Sequence, residues 1–144
     1  MEDVPKITNE GQKRLDPSGK ERPAIATILL VDDHAPTRTT LRQVLERRGF
    51  GERTAGCVEE ARVLFREQTF DFMISDVGLP DGDGCALIRE FRVSKPGFAG
   101  IALTGYGMEE DILRTREAGF AEHLTKPVNI EALEKAIAGL SRPS

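Results

Sequence analysis

Hydrophobic residues along the chain fall into short unbroken runs that alternate with stripes of helical spacing. The run ILLV, Ile28–Val31, ends in Asp32-Asp33. The stretch after it has Pro36 near its first turn and Leu41, Val44 and Leu45 on one face, up to Gly49. An apolar run closed by charge predicts a buried strand, and apolar positions three and four apart predict an amphipathic helix. The same pair of signals recurs. A weaker strand around Arg53–Ala55 precedes a helix carrying Val58, Ala61, Leu64 and Phe65. FMIS, Phe72–Ser75, ends in Asp76, and a Gly/Pro/Asp loop opens a helix with Leu87, Ile88 and Phe91. IALT, Ile101–Thr104, leads to a helix with Ile112 and Leu113 that Gly119 stops. HLT, His123–Thr125, meets Lys126-Pro127, and the last helix carries Ile130, Leu133, Ile137 and Leu140.

Five βα units predict an α/β fold: a doubly wound, five-stranded parallel sheet with five helices covering both faces. The polar second strand (Glu52, Arg53, Thr54) suits a sheet edge. Phe65, Phe70, Phe72 and Phe91 are core candidates. Before Ala24 the pattern vanishes: three prolines, Lys/Glu pairs and turn formers predict a flexible tail or linker over 1–23. The folded domain is expected over 24–141, with a short C-terminal tail at 142–144.

Composition narrows the function. With 144 residues, 39% apolar and 31% charged, the chain is long enough for one domain with its own core. No apolar run reaches the roughly 18 residues of a membrane span, and the polar N-terminus resembles neither a signal nor a transit peptide, so the expected location is the cytoplasm. The net charge is −4. Residues 1–23 hold five acids (Glu2, Asp3, Glu10, Asp16, Glu21) against five bases (Lys6, Lys13, Arg14, Lys20, Arg22), so the excess belongs to the rest. That balance argues against nucleic acid as a partner and against docking to an anionic membrane. Cys57 and Cys85 stand at no metal-ligand spacing and read as reduced thiols.

In open α/β sheets ligands bind beyond the carboxyl ends of the strands. There the chain places Asp32 and Asp33, Asp76, Thr104 and Lys126. Crowded carboxylates call for a cation. Mg²⁺ prefers oxygen ligands, and the loop after Asp76 offers the carbonyl of Gly78 as one more. Lys126 supplies a point charge for an anion and Thr104 a hydroxyl donor. An acidic metal cup beside anion-binding groups points to phosphoryl transfer onto a carboxylate.

VDDH, DVGLPDGDG, ALTG and LTKP, in this order from about Ile25 to Leu140, resemble the receiver domain of bacterial two-component response regulators. The resemblance implies the flavodoxin-like strand order 2-1-3-4-5 and Asp76 as phosphoacceptor. It further implies that Asp33 binds Mg²⁺ directly, Asp32 mainly through water, and Gly78 through its carbonyl. Thr104 and Lys126 would hold the phosphoryl oxygens, and a cis bond would join Lys126 to Pro127. The implied partners are a histidine kinase or histidine phosphotransfer domain and an unknown downstream protein. Such a domain catalyses only its own phosphorylation and dephosphorylation. Three positions depart from the pattern. Gly105 replaces a small residue such as Ala, and Glu52 an apolar one. His123, a switch candidate, replaces a Tyr or Phe that turns inward as the Thr moves. Imidazole is smaller and polar, so His123 is expected to stay at the surface, on the partner-binding face, with weaker coupling.

Other readings fare worse. Asp81-Gly82-Asp83-Gly84 lacks the bidentate Glu of a calcium loop and reads as turn chemistry. Gly105-Tyr106-Gly107 lacks a dinucleotide-binding pattern, and His34 is most simply a loop residue. Thr104 or Lys126 alone would be unremarkable; their joint placement with three aspartates carries the reading. In a flavodoxin-like carrier, Asp32-Asp33 would repel the flavin phosphate. A haloacid-dehalogenase-type phosphatase needs a second Asp where Gly78 stands. A degenerate receiver serving only protein binding is the main alternative, and the intact acidic set opposes it. No output segment follows Leu140, which fits a stand-alone regulator or the last module of a hybrid histidine kinase; the ALTGYG and AGFAEHLTKPV segments lean toward the latter.

Overall fold

A computed structural model describes residues 13–15, 21–23, 26–105 and 109–141. Most of the expected N-terminal tail, the Tyr106-Gly107 part of the loop after Thr104, and 142–144 lie outside the described residues. Within the expected tail, β1 (Lys13–Leu15) and β2 (Glu21–Pro23) pair antiparallel, a contact that the polar texture of this stretch did not predict.

The core begins with period-two alternation. In β3 (Thr27–Val31), Ile28 and Leu30 face one side of the sheet while Leu29 and Val31 face the other, and all four are fully buried. β5 (Phe72–Asp76) and β8 (Ala99–Thr104) repeat this: Phe72, Ile74, Ile101 and Leu103 join the first side, Met73 and Ala102 the second. Strands apolar on both faces must be covered on both. α1 (Ala35–Arg47) and α5 (Ile130–Ser141) cover the first side, with Leu41, Val44, Leu45, Leu133 and Ile137 buried. α2 (Val58–Glu67) and α3 (Gly84–Ser94) cover the second, joined by Ala118 of α4 (Glu109–Ala118). There Phe65 stacks on Phe91 at 3.9 Å between centroids, with Phe98 edge-on to both.

With β4 (Gly51–Ala55) and β9 (Phe120–Thr125), the parallel sheet runs β4-β3-β5-β8-β9. Counted along the chain this is the expected order 2-1-3-4-5, with the polar strand at an edge. β4 and β9 both start earlier than their side chains suggested, because pairing with β3 and β8 extends them through Gly51 and Phe120.

Two expectations need correction. Leu113 is 57% exposed; the inward face of α4 carries Ile112, Thr115 and Ala118, three apart, with the Thr115 hydroxyl donating to the Ile112 carbonyl. In α5, Ile130 sits at the rim of the apolar face rather than within it.

The Gly/Pro/Asp loop is more ordered than its composition implied. β6 (Gly78–Leu79) and β7 (Gly82–Asp83) form a tight hairpin. Asp83 caps α3, its side chain accepting from the Cys85 amide at 2.6 Å. Asp81 reaches the start of α2, where its two oxygens accept from the amides of Val58 and Glu59 at 2.7 and 3.1 Å. The residue at the natural capping position, Cys57, supplies no side-chain cap, so Asp81 does so from the neighbouring loop. These amide bonds, led by that from Val58, hold the Asp81 carboxyl below its ordinary range. A depressed carboxylate contributes stability above the unfolded-state value and loses it as pH falls through the folded one. Asp81→Ala is therefore expected to unfold at lower denaturant than wild type near neutrality. The gap should narrow on acidification below the usual carboxylate range, as chemical denaturation at several pH values would show.

Candidate functional site

Sheet register assembles the site. Val31 pairs with Ser75, so the next residues, Asp32 and Asp76, emerge side by side. Asp76 pairs with Leu103, which brings Thr104 to the same rim. Thr104 in turn pairs with Thr125, and the Lys126 amide donates to the Thr104 carbonyl at 2.7 Å.

Asp32 is fully buried and held on every side. Its amide donates to the Ala55 carbonyl, its Oδ1 accepts from the His34 amide at 2.9 Å, and its carbonyl accepts from Arg38 Nη1. Its Oδ2 has no well-directed hydrogen bond and lies 2.9 Å from Lys126 Nζ as an ion pair. The same ammonium donates to Asp76 Oδ2, also at 2.9 Å. Asp33 is exposed, yet one oxygen from each of Asp32, Asp33 and Asp76 lies within 4.8 Å of the others.

Charge follows from this crowding. Burial lifts the Asp76 carboxyl above its ordinary range, and Asp32 and Asp33 add to the lift; together they outweigh the downward pull of Lys126. For Lys126, burial favours the neutral amine, but the hydrogen bond to Asp76 and the charge of Asp32 beside it prevail and hold the ammonium above its usual range. Three carboxylates against one ammonium leave an excess of negative charge. A fully buried carboxylate oxygen without a proper donor, beside two further carboxylates, suits a hard divalent cation on oxygen ligands. Asp32, Asp33 and Asp76 could hold such an ion.

The remaining expected residues fall as follows. Gly78 opens β6 two residues beyond Asp76, with open space around its Cα. Thr104 is buried. The Lys126–Pro127 peptide is cis. The expectation that His123 stays at the surface is corrected: it is half-buried, and its Nε2 lies 2.9 Å from Thr104 Oγ1. The imidazole has found the polar partner that makes its burial tolerable.

Several contributors escaped the sequence reading. Arg38, one turn into α1, braces the Asp32 carbonyl; its place five residues after Asp33, facing back toward the strand end, was the available signal. Ser75 Oγ donates to the Asp76 carbonyl at 2.8 Å. Arg114 of α4 pairs with Asp83 at 2.9 Å, tying that helix to the loop beyond Asp76.

Beside Lys126, a groove of about 340 Å³ runs between the start of α1 and the turn after β9, lined by Pro36, Thr40, Leu41, Pro127, Val128 and Ile130. A larger one, about 520 Å³, is lined by residues such as Arg48, Phe50, Glu134 and Ile137 and by none of the three aspartates. Among the described residues, no helix is long and apolar enough to cross a membrane.

A sequence model described as the response regulator receiver domain matches residues 28–138. The response regulator protein PilR of Pseudomonas aeruginosa is 34% identical over 110 residues, 76% of this chain. The chain spans only 25% of PilR's length. The crystal structure of a CheY-like response regulator receiver domain protein from Methanospirillum hungatei superposes with a TM-score of 0.73 at 30% identity, over 80% of this chain and 93% of that one. The solution structure of the beryllofluoride-activated NtrC4 receiver domain dimer gives a TM-score of 0.75 at 30% identity, over 79% and 94%. The strand order, the motifs at the strand ends and these likenesses agree, and the chain belongs to the receiver domain family of two-component response regulators.

Proposed function

We propose that this domain accepts a phosphoryl group on Asp76 from the phosphohistidine of a histidine kinase or histidine phosphotransfer domain, in a Mg²⁺-dependent reaction. The observation that supports this best is the single ammonium of Lys126 lying 2.9 Å from both Asp32 and Asp76, at the rim of a three-carboxylate cluster. An Asp76 carboxylate oxygen attacks phosphorus, the N–P bond of the donor breaks, and the imidazole leaves with the electron pair. Lys126 and the Thr104 hydroxyl hold the phosphoryl oxygens, and Asp32 and Arg38 keep the loop in place. Asp32, Asp33, Asp76 and the Gly78 carbonyl would hold Mg²⁺, whose charge lets an anionic donor approach an anionic nucleophile. The groove beside Lys126, with apolar residues from α1 and the β9–α5 turn, offers the donor protein a seat. The downstream protein would read the face of α4 and β9, where Leu113 is exposed. The proposed receiver unit spans 24–141, in a cytoplasmic protein, and catalyses only its own phosphorylation and dephosphorylation.

Incubation with acetyl phosphate and Mg²⁺ is expected to add one phosphoryl group by intact mass, removed by hydroxylamine as an acyl phosphate should be. Chelation of the metal should abolish the addition. Labelling that persists in chelator, or that resists hydroxylamine, would overturn the reading.

A further inference from the structure

The Thr104–His123 contact carries a consequence in hydrogen accounting. Ala102 pairs with His123 across β8 and β9, so Thr104, two residues on, is the diagonal neighbour on the same face. Its Oγ1 and His123 Nε2 stand 2.9 Å apart. A hydroxyl has one hydrogen, and a ring nitrogen is either donor or acceptor. In one arrangement Thr104 donates to a bare Nε2, and its hydrogen is spent on the imidazole. In the other, Nε2–H donates to Oγ1, and the hydroxyl hydrogen is directed to an acceptor other than the imidazole.

We infer that His123 is a positioning residue for Thr104, and that phosphoryl binding at Asp76 selects the arrangement in which Nε2–H donates to the Thr104 hydroxyl. The inference rests on the reading of Asp76 as acceptor and Thr104 as phosphoryl ligand. A phosphoryl oxygen is acceptor-only, so Thr104 must give it the hydroxyl hydrogen. The contact with His123 then survives only if Nε2 carries a hydrogen. That hydrogen comes from solvent, and the ring either keeps Nδ1–H as imidazolium or releases it as the other neutral tautomer. The resulting chain, imidazole to hydroxyl to phosphoryl oxygen, has its donors aligned in one direction, and each bond polarises the next. An aromatic ring without a ring nitrogen has no such state to change. In this chain the edge strand β9 would sense the site through a hydrogen position as well as through side-chain packing.

The test is imidazole ¹⁵N spectroscopy of the full chain, titrated with beryllofluoride and Mg²⁺ as the acyl-phosphate mimic. The chain has two histidines, so His123→Phe assigns the signals, leaving those of His34. Wild type is expected to gain a hydrogen on His123 Nε2 as the mimic saturates. Thr104→Ser, which keeps a hydroxyl, should retain the response, and Thr104→Val should lose it at saturating mimic. A purely structural role for His123 predicts no change in Nε2. Binding of the mimic, shown by its loss in Asp76→Asn, with Nε2 unchanged overturns the inference and leaves the phosphoacceptor reading intact. Failure of the mimic to bind wild type overturns both. A response that persists in Thr104→Val also overturns the inference, because the hydrogen would then not be relayed by the hydroxyl.

Discussion

Replacing Asp76 by Asn is expected to abolish phosphoryl uptake and, in the same protein, to stabilise the metal-free fold. The first effect follows from losing the proposed nucleophile: a carboxamide oxygen carries no charge to share with phosphorus, and uptake should fall by at least on the order of a thousandfold. The second follows from crowding. Burial, with Asp32 and Asp33 close by, holds the Asp76 carboxyl above its ordinary range even though Lys126 touches it. An acid whose folded-state value is raised binds its proton more tightly in the fold than in the unfolded chain. Stability therefore falls as pH rises from the ordinary carboxylate range through the raised value, and the loss is complete above it. Asn does not titrate and escapes that loss. In chelator, Asp76→Asn should unfold at higher urea than wild type near neutrality, and the advantage should shrink on acidification. Equal midpoints at neutral pH would mean that Lys126 already compensates the cluster. Residual labelling of the Asn protein would place the acceptor elsewhere.

Gly84→Ala is expected to destabilise the domain by about 2–3 kcal/mol, the scale of overpacking in a close-packed interior. Gly84 is the first residue of α3, and its amide donates to the Val77 carbonyl at 2.7 Å. A Cβ there would stand 2.4 Å from the Asp76 carbonyl oxygen and 3.0 Å from Ser75 Oγ. Neither side yields cheaply. The obstacle is backbone at the end of a central strand, and α3 is fixed by Leu87, Ile88 and Phe91 in the core. Any relief must push the Asp76 backbone outward, so the variant should lose metal affinity along with stability, and its melting temperature should fall by roughly 10 °C. Gly139→Ala is the control. Gly139 lies exposed in α5 with open space around it, and there Ala should gain up to about 1 kcal/mol from helix propensity alone. Thermal melts of the three proteins, with Mg²⁺ titrations, separate the outcomes. A Gly84→Ala protein as stable as wild type would mean that α3 can slide on β5.

Much of the fold was legible because it rests on local periodicity. Four residues such as ILLV, closed by two aspartates, can be buried on both faces only as a central strand, and five such strand-and-helix pairs leave few architectures. The candidate site was legible in outline for the same reason: each of its residues ends a strand. The chain-local signals failed where a partner is distant. Nothing near Asp81 says that it caps α2 from 23 positions away, and Leu113 reads as apolar whether or not a neighbour covers it.

The linear chain by itself determined the alternation of strands and helices, the polar edge strand, and the set of carboxylates, hydroxyl and ammonium at the strand ends. Those are consequences of side-chain type and spacing. Only the tertiary structure decided how that set divides. It buried Asp32 completely while leaving Asp33 exposed, set one ammonium against carboxylates 94 and 50 positions earlier, and turned His123 onto Thr104. The physical reason is register. Which strand ends lie side by side depends on how separate strands pair, down to a shift between Gly100 and Ile101 in the pairing of β8 with β9. Pairing is settled by the packing of both sheet faces at once, which no local stretch of sequence encodes.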